Sequence, residues 1–175
     1  MKSEIMSWAG KFSDKPYLEQ FERMKRWYEV LKEISISNGP ESQADYQVDC
    51  IYAFFMNCFH LKDWLISSGV ISKNEVNSFI NNNKEMKICR DLCNGSKHLN
   101  LNNPSIGRDD KCGCGWHGVT LHREYDPFYQ TRESPKPLKK FNYVILADFE
   151  RFNVFSLADK CFNLWEEFMN DNSLL

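Results

Sequence analysis

One stretch of the chain concentrates side chains able to bind an anion and move a proton: Ile88-Cys-Arg-Asp-Leu-Cys-Asn-Gly-Ser-Lys-His98. At about 100° per helical residue, Arg90, Asp91, Asn94, Lys97 and His98 fall within a sector about 120° wide. A guanidinium offers a rigid fork of donors to oxyanions, and an imidazole titrates near neutrality. Asp91 is placed to orient either one, while Asn94 and Lys97 add donors along the same face. Gly95 inside this helix costs about 1 kcal/mol relative to alanine unless something approaches closely there. A second polar set, Asn57, His60 and Asp63, interrupts an otherwise apolar helix. Polar groups on a central helix need partners, and the helix carrying Arg90 is positioned to supply them. The competing reading of the whole set is a hydrogen-bonded network closing a helical bundle, or a solvated face with scattered ion pairs.

A second set suggests metal chemistry. Cys112-Gly-Cys114-Gly-Trp-His117, followed by His122, combines thiolate and imidazole ligands with glycines that let a backbone wrap an ion. The Cys-x-Cys spacing is tighter than the usual two to four intervening residues, and no second ligand pair follows at a matching separation. A Gly-rich turn entering a strand accounts for the same residues. Cys89 and Cys93, one helical turn apart, are expected in the core.

The elements that must position these groups are mostly helices. Leu18, Phe21, Met24, Tyr28 and Leu31 recur at helical spacing after a start near Ser13 or Asp14, with Pro16 in the first turn. A second helix, from about Ser42 to Ile66, is apolar on most sides and belongs at the centre of a bundle. Ser72-Lys-Asn-Glu75 reads as a capping box opening a short third helix. The fourth, about Lys84 to Leu99, carries the polar face described above and ends before Asn102-Asn103-Pro104. Glycines at 107, 113, 115 and 118 mark a loop, and Val119–Tyr125 and Phe141–Ala147 read as two strands. A last helix opens at Asn153 or Ser156 and presents Val154, Leu157, Cys161, Leu164, Trp165 and Phe168 on one side. The expected fold is mainly α: a bundle of about five helices with a β-hairpin insert, residues 105–150, before the last helix, in one domain spanning 1–175.

Composition sets outer limits. Hydrophobic residues make up 42% of 175, enough for one well-covered core. A net charge of −2 argues against a broad basic surface for duplex nucleic acid. The N-terminus lacks the apolar run of a signal peptide, and no stretch is long enough to span a bilayer, so the expected setting is cytoplasmic with no membrane partner. Seven cysteines, without a secretion signal, are expected as reduced thiols.

A helical bundle in which Arg90, a polar residue directly after it, and His98 share one helix resembles the HEPN superfamily, which includes ribonuclease toxins, phage-defence effectors and inactive relatives. In that family four to six residues usually separate the Arg and His. Here there are seven, Asp91 to Lys97, and eight helical steps rise about 12 Å, far for one phosphate. The family usually builds its site across a dimer, which would bring Arg90 of one copy to His98 of another. Alternatively, Asn94 and His98, one turn apart, form the reactive pair, with Lys97 or Arg90 holding phosphate. The resemblance implies a metal-independent ribonuclease without cofactor. Arg90 would stabilise the transition state, His98 would act as general acid or base and Asp91 would orient. Asn94, Lys97 and His60 would contact substrate. RNA, a second copy and an antitoxin or other protein are the implied partners. The rival reading is a non-catalytic helical module binding a protein or nucleotide through the same face or through the β insert. A third is a small zinc-stabilised protein using Cys112, Cys114 and His117.

Overall fold

The structure, a computed structural model, describes residues 14–36, 43–97, 105–106, 119–126 and 140–175. Five helices and three strands are present among them. Helix α1, Pro16–Ile36, starts on a proline whose fixed φ suits a first helical residue. Its buried side chains, Tyr17, Phe21, Met24, Tyr28 and Leu31, follow the three-to-four-residue spacing of one helical face. Helix α2, Ala44–Ser67, buries Cys50, Ile51, Phe54, Phe55, Cys58, Phe59, Leu61 and Leu65, a spread covering most of its circumference. It accordingly packs against all four other helices. Gly69, with φ of 69°, takes the chain out of α2 in a conformation that side chains with a Cβ disfavour.

Helix α3, Lys73–Asn82, opens with the expected capping box: the Ser72 hydroxyl accepts from Glu75 N, and the Glu75 carboxylate accepts from Ser72 N. Hydrogen bonding of the Glu75 carboxylate to the Ser72 hydroxyl and to Ser72 N holds that carboxyl below its usual range. Helix α4, Lys84–Lys97, is described two residues short of the Leu99 expected from sequence. Helix α5, Val154–Asp171, is capped by Asn153, whose Oδ1 accepts from Phe155 N and Ser156 N. The start therefore lies at Asn153 and not at Ser156. Tyr28 of α1 stacks on Phe162 of α5 at 4.3 Å between ring centres, and Phe79 of α3 meets Phe168 at 4.4 Å. These contacts close the bundle around α2. No described helix is long and apolar enough to cross a membrane.

The strands β1, Thr120–Asp126, β2, Lys140–Ala147, and β3, Glu150–Asn153, form one antiparallel sheet in the order β1-β2-β3. Leu121 faces Ile145, and Val144 faces Asn153. Alternate residues of β2, Tyr143, Ile145 and Ala147, are the most deeply buried, as the two-residue pleat requires. The Tyr143 hydroxyl donates to Gln47 Oε1 at 2.6 Å, fastening the sheet to the start of α2.

The expected hairpin is thus a three-stranded meander. Strand β3, Glu-Arg-Phe-Asn, is short and mostly exposed, so its sequence lacks the apolar alternation that marked the other two. It is joined to β2 by Asp148 and Phe149, both left-handed, with φ of 51° and 60°. Two consecutive residues of positive φ make the turn that best matches strand twist, at a steric cost for residues bearing a Cβ. Phe149 is also 86% exposed, so burial offsets little of that cost. Phe149→Gly is expected to stabilise the fold by about 0.5–1 kcal/mol, the relief of strain minus the added entropy of the unfolded chain. A urea midpoint that rises with an unchanged slope is the readout, and a fall would contradict the strain argument.

Candidate functional site

Within α4, the buried residues Met86, Ile88, Cys89, Leu92 and Cys93 leave one narrow face turned outward. Arg90, Asn94 and Lys97 lie on it. Asp91 does not, although the helical wheel placed it in the same sector. It occupies the edge of that sector next to Ile88 and Leu92, and only 1% of it is exposed. Its Oδ2 accepts from Ser105 N at 2.6 Å and Ile106 N at 3.0 Å, and its Oδ1 accepts from the Ser105 hydroxyl. Asp91 therefore fastens the chain at 105–106 onto α4, with both oxygens occupied by that work.

The same serine reaches Arg90. Arg90 Nε donates to Ser105 Oγ at 2.6 Å, and its Nη1 donates to Asn81 Oδ1 of α3 at 3.0 Å. The direct approach of Arg90 Nε to Asp91 Oδ1 is 4.0 Å, so the orienting influence of the carboxylate passes through Ser105. The guanidinium is held on two sides, Nη2 takes part in neither bond, and the side chain remains 26% exposed. Neither Ser105 nor Asn81 carried a sequence signal, because their link to Arg90 is tertiary and follows no helical period.

His60 of α2 completes the arrangement. Lys97 Nζ lies 3.2 Å from His60 Nε2, and the buried Cys93 Sγ lies 3.9 Å from the same nitrogen. An ammonium can only donate, so Nε2 is the acceptor and the ring proton sits on Nδ1. Burial pushes the His60 pKa down from 6.5; Lys97 and, more weakly, Lys62 push the same way, against an opposing pull from Asp63. Burial and the Lys97 charge thereby favour the neutral form of this half-buried imidazole. Of the other polar residues of α2, Asp63 pairs with Lys62 beside it. Asn57 is spent on structure: its Nδ2 donates to Ala53 O, and its Oδ1 and backbone carbonyl accept from Gln20 of α1.

Removal of the Lys97 charge makes a direct test of this electrostatic coupling. In Lys97→Met the His60 pKa is expected to rise towards 6.5, leaving only part of the downward shift due to burial. Ring-proton NMR during a pH titration reads the change, and an unmoved or lower value would refute it. The sign carries over to stability. Because folding lowers this pKa, the unfolded chain takes up the proton first; the contribution of a neutral His60 is complete above 6.5 and is lost as pH falls through the folded value.

The structure thus brings Lys97 to His60, holds Arg90 farther along the same outer face of α4 against Asn81 and Ser105, places half-buried Asn94 one turn from Arg90, and turns Asp91 inward. His98, Cys112, Cys114 and His117 lie outside the described residues. Comparisons with protein-family models, with curated proteins and with solved structures find no match to the chain.

Proposed function

We propose that the chain is a metal-independent ribonuclease of HEPN type in which His60 accepts the proton and Lys97 and Arg90 hold phosphate. The observation that carries this reading is the 3.2 Å contact of Lys97 Nζ with His60 Nε2, at a position whose burial lowers the imidazole pKa. A phosphodiester competes for that ammonium. When Lys97 swings onto a phosphoryl oxygen, His60 Nε2 is freed to take the proton of the ribose 2′-OH. The 2′-oxygen then bonds to phosphorus, the P–O5′ bond breaks, and the departing 5′-oxygen takes a proton, for which His98, next to Lys97 in sequence, is the proposed source. Charge growing on the non-bridging oxygens is met by Lys97, while the Arg90 fork holds a neighbouring phosphate of the chain. Arg90 and Lys97 are separated by about 10 Å along the helix axis, a span suited to neighbouring points of a polyanion and not to one phosphate. The proposed setting is a cytoplasmic toxin or phage-defence effector acting as a homodimer, in which a second α4 face supplies further cations; this part rests on the resemblance alone.

A second reading is supported by a specific observation. Asp91 and two of the Arg90 nitrogens are engaged inside the subunit, as in a module that binds a protein or nucleotide without cleaving it. Incubation of EDTA-treated protein with single-stranded RNA and with DNA of the same sequence separates the two. The nuclease reading requires cleavage of RNA alone, leaving 2′,3′-cyclic phosphate ends, because DNA has no 2′-OH. Intact RNA, equal cutting of DNA or a requirement for added metal would overturn it, and bound but intact RNA would favour the second reading.

A further inference from the structure

Three thiols from three different helices meet in the core: Cys58 of α2, Cys89 of α4 and Cys161 of α5, with their Sγ atoms all within 4.8 Å of one another. All three residues are fully buried. A single core cysteine is an ordinary small apolar residue. Three converging from separate elements are a ligand set, because soft thiolates are what thiophilic cations select. A second observation marks the same place. The indole Nε1 of Trp165 on α5, beside Cys58, is buried without a hydrogen-bond partner. A buried unsatisfied donor is rare in a folded chain and costs about 1–3 kcal/mol. A thiolate beside it would accept that hydrogen.

The geometry points to Cys58, Cys89 and Cys161 as a three-coordinate thiolate site for a soft monovalent cation of the Cu(I) class. Coordination number selects the metal. With metal–sulfur bonds of about 2.3 Å, the length found for zinc, three sulfurs in a trigonal plane stand about 4.0 Å apart. The spacing here therefore needs an inward movement of less than about 1 Å, within reach of side-chain torsions alone. Structural zinc takes four ligands in a tetrahedron, and among the described residues no further His, Cys, Asp or Glu joins the three. Trp165 cannot fill the vacancy, since its indole nitrogen only donates.

In the metal-free protein Cys89 Sγ lies 3.4 Å from the Phe55 carbonyl oxygen and Cys161 Sγ lies 3.6 Å from that of Glu85, which gives those thiol protons acceptors. Binding involves no redox step: the cation enters, S–H protons leave to solvent, and sulfur–metal bonds form. Proton release makes the affinity rise with pH, and closure by three helices ties occupancy to the folded state. The site joins the helix that carries His60 to the helix that carries Lys97, yet it is independent of any nuclease activity.

The test uses the full chain with Cys112→Ser and Cys114→Ser, which removes the Cys-Gly-Cys sequence as a competing thiol source. It is refolded without oxygen in the presence of Cu(I) buffered by a colorimetric chelator. One Cu(I) per chain is expected, with three sulfurs and no nitrogen or oxygen in the first shell by X-ray absorption, and a higher melting temperature than the metal-free protein. Cys58→Ala, Cys89→Ala and Cys161→Ala, each made in that background, are expected to lower the affinity at least tenfold. The absorption measurement needs no core variant and so stands even if one of these fails to fold. Less than stoichiometric uptake, a first shell containing nitrogen or oxygen, or full affinity in a folded Cys58→Ala protein would overturn the site.

Discussion

Asp91→Ala is expected to lower the unfolding free energy by about 3 kcal/mol, the largest loss from substituting any polar residue of α4. The carboxylate is 1% exposed and accepts three hydrogen bonds, from Ser105 N, Ser105 Oγ and Ile106 N. Alanine leaves those donors facing a methyl group. Either they stay buried and unpaired, or the chain at 105–106 comes away and takes the buried Ile106 side chain into water. Both routes cost a few kcal/mol, so the estimate does not depend on which is followed. In thermal unfolding the expected drop is about 6–12 °C for a chain of this size. Asp91→Asn keeps an acceptor but turns an NH2 group towards one of the donors, and about half the loss is expected. Ser105→Ala removes a bond to Asp91 and the bond to Arg90 Nε together, so its effect and that of Asp91→Ala are expected to be non-additive in the double variant. A shift of less than about 0.5 kcal/mol for Asp91→Ala would place this aspartate among ordinary surface positions.

Asp91 also shows where sequence reading stops. Features governed by neighbours along the chain were legible: the Ser72–Glu75 capping box, the Asn153 cap, the apolar period of α1 and the all-round greasiness of α2 each depend on residues within a few positions. The placement of α2 at the centre followed from the same greasiness. A helical wheel, however, gives angles and not neighbours. It put Asp91 with Arg90 because 100° separates them, and it had no means of knowing that Ser105 would fold back against that edge. Strand β3 was hidden for a related reason, since its pairing partner, β2, provides the order that Glu-Arg-Phe-Asn lacks by composition. The need of α2 for polar partners was legible, but only His60 found its partner on α4; Asn57 turned to Gln20 of α1 and Asp63 to Lys62. Likewise Cys89 and Cys161 were each expected in the core from their spacing, whereas their meeting with Cys58 depends on how three helices cross.

His60→Ala is expected to slow RNA cleavage at least 100-fold, about 2.7 kcal/mol of transition-state stabilisation, if the proposed chemistry operates. The reasoning turns on protonation state. A base must be neutral at working pH, and both burial and the Lys97 charge hold His60 in that form. Its loss removes the proton acceptor while Arg90 and Lys97 remain to bind RNA, so kcat is expected to fall with KM little changed. Lys97→Met should behave differently, with weaker RNA binding and an acid limb of the rate profile moved to higher pH, because the imidazole there protonates more readily. Arg90→Lys keeps the charge but loses the planar fork held by Ser105 and Asn81, so a loss of rate is expected in spite of the conserved charge. The three variants thus separate proton transfer, local electrostatics and oriented charge. A folded His60→Ala protein that cuts RNA at the wild-type rate would take this imidazole out of the chemistry. The α4 cations would then be left as binding groups, and proton transfer would have to come from elsewhere in the chain.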